Sequence, residues 1–541
     1  METQGVFNRY NNSSKDVEST EMITYDNTFG AFTVNVMAGH NIVQNYWNSM
    51  SFQGSGLVVP NIYNSSNVST YTAGSSYGMF RSWSLFGEAR IGYKSLLYYT
   101  VTGRNDWASS INNDYFYPSH SLGFVFSELL QDVKFLDFGK LRVSYAKVGA
   151  PASAYTTNVI LSQASSQDWL GHSWPFNGQN SYLPSSTYPN PDLANEFKSE
   201  IEGGLEMRFF KNRLGLDLAL YHNWSTNQIL WQQLLNSTGY SGGWINIGGI
   251  THKGIELGIT STPVQTNDFT WDLSLTWSKD NSMVDDLGEN DEPIDVGSGG
   301  WAIVGQPYPV LYGDAFLRDD EGNLVLSDQG STGTNRTTYG RPIIDPRGRK
   351  IFGKIAPDWV SSIRNSLSYK NITLMAQLDI QKGGLIDNFD EHYLTYYGMS
   401  PLQENRPEDN RIVFEGVMGH YDYNTQQVVV TNPVNTEYTY YSSYYQTVCQ
   451  STEEDNIQPR DFIKLREVAL TYRMPDKVAG ALHLKGLDVS FAGRNLWRKF
   501  KDGFSGSDVE TNTNGISNGN AWFNYSFPSL RTYAVTLNIT L

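Results

Sequence analysis

The chain has 541 residues, a net charge of −16 and a pI near 5.0. That balance excludes nucleic acid as a partner, because phosphate binding needs a basic face. Aromatics reach 14% (34 Tyr, 26 Phe, 14 Trp) while charged residues are only 17%, well under the roughly 25% of an average soluble domain. Few charges with many Tyr and Trp suit a surface that meets hydrocarbon and headgroups together. Mean hydropathy is −0.41 and no run approaches the length of apolar residues that a transmembrane helix needs. A membrane β-barrel passes that test, since only alternate residues need be apolar. Cys449 is the single cysteine, so there is neither a disulfide frame nor a Cys-based metal site. The first residues, Met1-Glu-Thr-Gln-Gly, carry no basic n-region and no apolar h-region. A barrel without an export signal is a contradiction, and the expectation is a chain lacking its true N-terminus.

Taken in chain order, the pattern predicts about fourteen strands, near 30–39, 82–94, 95–104, 119–127, 139–149, 198–210, 213–222, 250–262, 268–279, 355–369, 372–381, 460–474, 485–496 and 529–541. The period of two is plainest in Leu214, Leu216, Leu218 and Leu220, in Trp271, Leu273, Leu275 and Trp277, and in Tyr533, Val535, Leu537, Ile539 and Leu541. Successive strand side chains face opposite sides, so each segment has one oily and one polar face. Links alternate between tight ones (Lys94–Ser95, Lys211–Asn212, Lys370–Asn371) and long ones at 40–81, 150–197, 280–354, 382–459 and 497–528. All long links then lie on one rim. Short turns opposite long loops mark an outer-membrane barrel and not a Greek-key sandwich.

One segment, Phe462 to Tyr472, breaks phase: Ile463 and Leu465 share one parity, Val468, Leu470 and Tyr472 the other. Either a bulge near Arg466–Glu467 restores a common face, or one half stands above the membrane where parity is free. The run Gly103-Arg-Asn-Asp-Trp107 is expected to end a strand, with Asn105 and Asp106 turning the chain and Trp107 at the outer interface. Arg494 and Asn495 are expected in a similar place.

Several segments resemble the SusC/RagA family of TonB-linked outer-membrane transporters. They include Gly103-Arg-Asn-Asp-Trp107, Tyr115-Phe-Tyr-Pro-Ser119, Gly123-Phe-Val-Phe-Ser-Glu128, Lys140-Leu-Arg-Val-Ser-Tyr145, Val304-Gly-Gln-Pro307, Arg318-Asp-Asp-Glu-Gly-Asn323, Ala356-Pro-Asp-Trp359, Gly493-Arg-Asn-Leu-Trp497 and Pro528-Ser-Leu-Arg-Thr-Tyr533. Their order and spacing over residues 100–541 carry the likeness. The resemblance implies a 22-stranded barrel in outer-membrane lipid, with a lumenal plug, a TonB contact segment, and a SusD-like surface lipoprotein as lid. It also implies import of oligosaccharides or peptides. The chain departs from the family pattern in having no room for a plug or a TonB segment and only about fourteen strands. It therefore looks like the C-terminal barrel portion, residues 1–541 being wall throughout. Its last residue is Leu541, where such barrels usually end in an aromatic.

Loop aromatics are the candidate substrate contacts: Trp301, Tyr308 and Tyr312 in 280–354, and Tyr393, Tyr396, Tyr397, Tyr440, Tyr441, Tyr444 and Tyr445 in 382–459. Sugar rings stack their C–H faces on aromatic planes, and Tyr adds a hydroxyl; the bland alternative is loop packing or lid contact, where Tyr is also enriched. The acids Asp285, Asp286, Glu289, Asp291, Glu292 and Asp295 suggest calcium, as does Asp319-Asp-Glu-Gly-Asn323, but neither has an alternating calcium-loop pattern. A solvated acidic loop and a polar hairpin turn are the preferred readings, so no cofactor is expected. Neither H-E-x-x-H, P-loop nor G-x-S-x-G is present, so no enzyme is expected. Lumen-facing Asp217, Asp272 and Thr276 would line the plug's seat. The alternatives are a plug-less surface adhesin or glycan-binding scaffold, and a TonB-dependent siderophore receptor.

Overall fold

A computed structural model describes all residues except 1–4, 112, 164–173, 175–177, 289–290, 331, 333–337 and 512–519, with Leu402 described by its backbone alone. Fifteen strands follow one another as hydrogen-bonded neighbours in chain order. They are β1 (Val6–Phe29), β2 (Phe32–Leu57), β3 (Val68–Tyr93), β4 (Leu97–Ala108), β5 (Tyr115–Phe124), β6 (Leu136–Ala150), β7 (Glu196–Phe209) and β8 (Leu214–Thr226). Then come β9 (Gly249–Gln265), β10 (Phe269–Asp286), β11 (Trp359–Tyr369), β12 (Ile372–Lys382), β13 (Phe462–Arg473), β14 (Gly486–Phe500) and β15 (Thr532–Thr540). No described helix is long and apolar enough to cross a membrane. All fourteen expected strands are present.

The chain divides into two compact units, residues 1–132, 139–204 and 221–251 in one, and 133–138, 205–220 and 252–541 in the other. In the first, register sets Phe32, Tyr93, Leu97, Phe124 and Leu141 side by side across five strands, and above them Val34, Ile91, Tyr99, Leu122 and Val143. The alternate residues form the rows Asn35, Arg90, Thr100, Ser121 and Ser144. One face is therefore oily and the other polar. At the far end of the oily face Trp83 stacks on Trp107 with ring centroids 4.5 Å apart. From the Tyr93 row to the Trp83 row is ten residues, which at about 3.3 Å each and a tilt of about 40° covers roughly 25 Å, the apolar height of an outer-membrane barrel.

The second unit repeats this arrangement. Trp271, Leu367, Leu374, Leu470, Phe491 and Val535 line up across six strands. On the opposite face Ser368, Thr373, Thr471, Ser490 and Thr536 fall in line, with hydroxyl hydrogen bonds Ser368–Thr373 at 3.0 Å and Thr471–Ser490 at 2.5 Å. The hydroxyls pair with each other across the strands of the polar face, and the oily row is left for lipid.

Three expectations need correction. The first is the long link at 40–81, most of which is strand: β2 and β3 each run 26 residues and only 58–67 connects them. Residues beyond the Trp83 row stand above the membrane, where apolar alternation is not required, so the pattern that reveals a membrane strand is missing. β1 escaped for the same reason and because it is a polar end strand, exposed almost throughout. Second, Asn105 and Asp106 do not turn the chain; they sit inside β4 opposite Leu85 and Ser84, and Asp106 is held by Arg104 at 2.7 Å and by the Tyr117 hydroxyl at 2.7 Å. Third, β14 continues through Arg494 and Asn495 to Phe500.

The phase break in β13 is a bulge. Its register shifts between Leu465 and Glu467 against β14, and at Gln377–Leu378 against β12. Arg466 is the extra residue, and Ile463 and Leu465 rejoin Val468, Leu470 and Tyr472 on one face. On β14, Asn495 meets the bulge with φ of 52° and donates its side-chain amide to the Leu530 carbonyl at 3.0 Å.

Candidate functional site

Links between the strands alternate as the sequence implies. The turn side never exceeds 474–485, whereas the other rim carries 151–195, 227–248, 287–358, 383–461 and 501–531. Within the second unit the last three of these build small sheets and cores of their own. Leu311 and Ile355 of 287–358 and Ala521 of 501–531 share a core with Phe352, Leu385 and Ile457. Strand Leu385–Asn388 pairs with both Ile457–Pro459 and Trp522–Phe523. Loops tied in this way present a fixed surface.

Trp301 and Tyr312 meet on a four-stranded sheet made of Ile294–Gly297, Gly300–Ala302, Val310–Gly313 and Lys350–Lys354. Their rings lie 5.4 Å apart at 70°, and the Arg349 guanidinium is 5.2 Å from the Trp301 ring centre. Asp345, paired with Lys350 of this sheet, is buried. Burial opposes its ionisation, but hydrogen bonds from Arg347 and Lys350, at 2.8 Å each, outweigh it and hold the carboxyl at about 2. Tyr308 does not join Trp301 and Tyr312. It packs against the Val284, Leu287 and Ala302 core, exchanges hydrogen bonds with Ser282, and its hydroxyl pKa is raised by burial.

Tyr396 ends helix α1 (Phe389–Tyr396) and its ring stands 5.0 Å from that of Tyr397, which is 68% exposed. The helix starts here because Asn388 caps it, accepting from the Glu391 N–H, with Asp390 and Glu391 in the first turn where the dipole favours acids. Tyr440 pairs with Arg411 on a two-residue bridge. Tyr441 is buried, its ring 4.3 Å from Tyr445, and Tyr444 lies in the Phe316, Val448 and Cys449 core with its hydroxyl donating to Asp455. Burial pushes the Cys449 thiol up to about 12. Tyr308, Tyr441 and Tyr444 are thus framework, while Trp301, Tyr312, Tyr396, Tyr397 and Tyr440 are accessible.

A platform of which the sequence offers only Tyr393 is built across two loops. Phe389 stacks on Trp522 at 5.8 Å and on His392 at 5.3 Å, and Tyr393 and Tyr525 close it at 5.1 Å and 6.3 Å from Phe389. Trp522 also covers Gly299, so close that a Cβ there would sit 2.3 Å from its indole nitrogen. Phe389–Tyr393 and Trp522–Tyr525 come from different loops far apart in the chain, and no local spacing links them. A cleft of about 330 Å³ lies at the turn side on the hydroxyl-rich face. Its lining includes Asn212, Thr260, Thr262, Asp272, Arg364 and Ser366, and Thr262 donates to Asp272 at 2.7 Å.

Among the described residues no three His, Cys, Asp or Glu side chains gather to hold a metal. Asp286, Asp291 and Asp295 each accept from a nearby backbone N–H, and Asp319 closes its hairpin on Asn323 and Glu321. Glu289 lies outside the described residues.

A family model described as "TonB dependent receptor-like, beta-barrel" matches residues 2–313, more than half of the chain. TonB-dependent receptor P3 of Formosa agariphila is 25% identical over 561 residues, covering 98% of this chain and 52% of that protein. TonB-dependent receptor SusC of Bacteroides thetaiotaomicron is 25% identical over 315 residues, 53% of this chain and 30% of that protein. A chain in the solved structure of the RagAB peptide transporter superposes with a TM-score of 0.73 at 16% identity, over 98% of this chain and 56% of that one. The chain spans about half the length of the curated relatives it matches over most of its own. It belongs to the TonB-dependent receptor-like β-barrel family of the outer membrane and is similar to SusC and to a chain of RagAB.

Proposed function

We propose that this chain forms the C-terminal part of the wall of a TonB-dependent importer for oligosaccharides or peptides, working with a SusD-like surface lipoprotein. The observation that carries the reading is the pairing of membrane-high oily rows with long loops that all rise from one rim. Those loops bear accessible aromatic planes at Trp301, Tyr312, Tyr397 and Tyr525. Such planes accept sugar rings or peptide side chains, and the remaining aromatics hold the loops in place. In this reading the protein makes and breaks no covalent bond of its cargo. TonB acts through parts of the full-length protein that lie outside the span matched in the relatives, and the lipoprotein covers the loop rim.

The test is uptake by intact cells of a labelled panel of oligosaccharides and oligopeptides. Import of at least one member should require both this gene and an energised TonB system. Replacing Trp301 and Tyr312 together by Ala should raise half-saturation about tenfold, two stacking contacts being worth about 1.5 kcal/mol together. Uptake of the panel unchanged after deletion of the gene would overturn the reading.

A further inference from the structure

In a chain of net charge −16, the part of β1, β2 and β3 beyond the Trp83 row sorts its charges by face. Register places Val17, Gln44 and Arg81 in one row, then Lys15, Tyr46 and Met79, and farther out Arg9, Phe52 and Ala73. These share the face of Trp83, which is the oily, outward one within the membrane. Arg9, Lys15 and Arg81 are all exposed, and no described acid shares this face above the Trp83 row. The acids of the same stretch, Asp16 and Glu18, are on the opposite face, bonded to Asn45 at 2.8 Å and Asn41 at 2.9 Å. Glu21 does share the outward face, but lies below the Trp83 row and pairs with His40 at 3.2 Å.

Height decides what the three cations meet. At about 3.3 Å per residue and a tilt of about 40°, Arg81 stands roughly 5 Å above the aromatic row, Lys15 roughly 10 Å and Arg9 roughly 25 Å. The Trp83–Trp107 pair marks the edge of the hydrocarbon, as interfacial Trp does. The first two cations are therefore at headgroup depth, facing the bilayer's own neighbours and not the lumen. Tyr77 and Tyr71, 79% and 69% exposed on the same face, offer aromatic planes beside them. Cations that bind phosphate oxygens, with rings that stack on sugars, fit a phosphorylated saccharide.

We propose that this outward face binds the phosphorylated saccharide headgroups of outer-leaflet glycolipid, with Lys15 and Arg81 on the phosphates nearest the acyl chains. The inference rests on the outer-membrane placement of the family and not on import. Arg9, higher up, meets the outer saccharide.

The protein as purified from outer membranes, in detergent, is titrated with bis-phosphorylated lipid A and with its phosphate-free counterpart, and bound lipid is counted by native mass spectrometry. Lys15→Gln with Arg81→Gln should weaken binding of the phosphorylated lipid about tenfold or more and leave the phosphate-free one unaltered. Arg81→Lys beside intact Lys15 should retain it. Asp16→Asn, on the opposite face, controls for folding. Equal binding by wild type and the double Gln variant would overturn the proposal. So would full displacement by millimolar inorganic phosphate, which would make the face a free-anion site, or equal capture of polyglutamate, which would make it an acidic-polypeptide surface. Panel uptake measured on the same variants keeps this outcome separate from the import reading.

Discussion

Asp387 sits where three loop segments meet, in the strand paired with both Ile457–Pro459 and Trp522–Phe523. One of its carboxyl oxygens has no hydrogen-bond partner. Burial, with the charge of Glu453 adding to it, pushes its pKa up to about 7. Because the folded value is above the unfolded one, its contribution to stability is complete below about 4 and is lost as pH rises through about 7. Protection against hydrogen exchange in 385–388, 457–459 and 521–523, corrected for the intrinsic rise of amide exchange with pH, should therefore fall between about pH 4 and pH 7. Asp387→Asn should abolish that change, and an unaltered pH profile in the variant would remove Asp387 as the cause. Asp345 works in the opposite sense: its depressed pKa gives stability that is present above about 4 and lost as pH falls toward about 2. Gly299 is a purely steric requirement, with φ of 82° and Trp522 against its α-carbon. Gly299→Ala should loosen the platform by about 1–3 kcal/mol, read as raised protease sensitivity in 298–302 and 520–527. None of these three roles was legible in the sequence, since each depends on a partner from a different loop.

At the scale of elements, the membrane strands were legible because lipid enforces alternation. Leu374, Leu470, Phe491 and Val535 must all face one way, and any single strand shows it. Above the Trp83 row that constraint lapses, which is why β1 and the outer halves of β2 and β3 passed for loop. The bulge was half legible: the parity break at Arg466 was visible, but only the pairing with β12 and β14 distinguishes a bulge from a free segment. Arg466 also reaches Asp379 at 2.6 Å and Glu510, while Lys464 is buried against Asp508 at 2.5 Å. The bulge thereby aims two cations at the last loop. Deleting Arg466 would close the bulge and leave Ile463, Leu465, Val468, Leu470 and Tyr472 in unbroken alternation on one face. That deletion, like Arg466→Gln, should retain the heat-modifiable band of the full-length protein and loosen only 501–511, whereas deleting Arg466 and Glu467 together would turn Ile463, Leu465 and the residues before them to the polar face and should abolish the band. Loss of the band in the single deletion, or an intact band in the double one, would contradict the register.

At the scale of the molecule, β1 and β15 stand at the two ends of the strand order, and both are exposed along most of their length. Unpaired strand edges are intolerable in lipid. The 541 residues expressed alone should therefore aggregate, and detergent-folded, heat-modifiable monomers of them would contradict this. The central claim is that two opposite faces are sorted across the strands, oily toward lipid and polar away from it. It is tested most directly by single cysteines in a Cys449→Ser background of the full-length protein in membranes. A bimane label is placed in turn at Leu374, Leu470, Phe491 and Val535, then at Thr373, Thr471, Ser490 and Thr536. Acyl-chain spin-labelled lipid should quench the first four strongly and the second four little. Equal quenching of the two sets, or the reverse order, would contradict the account.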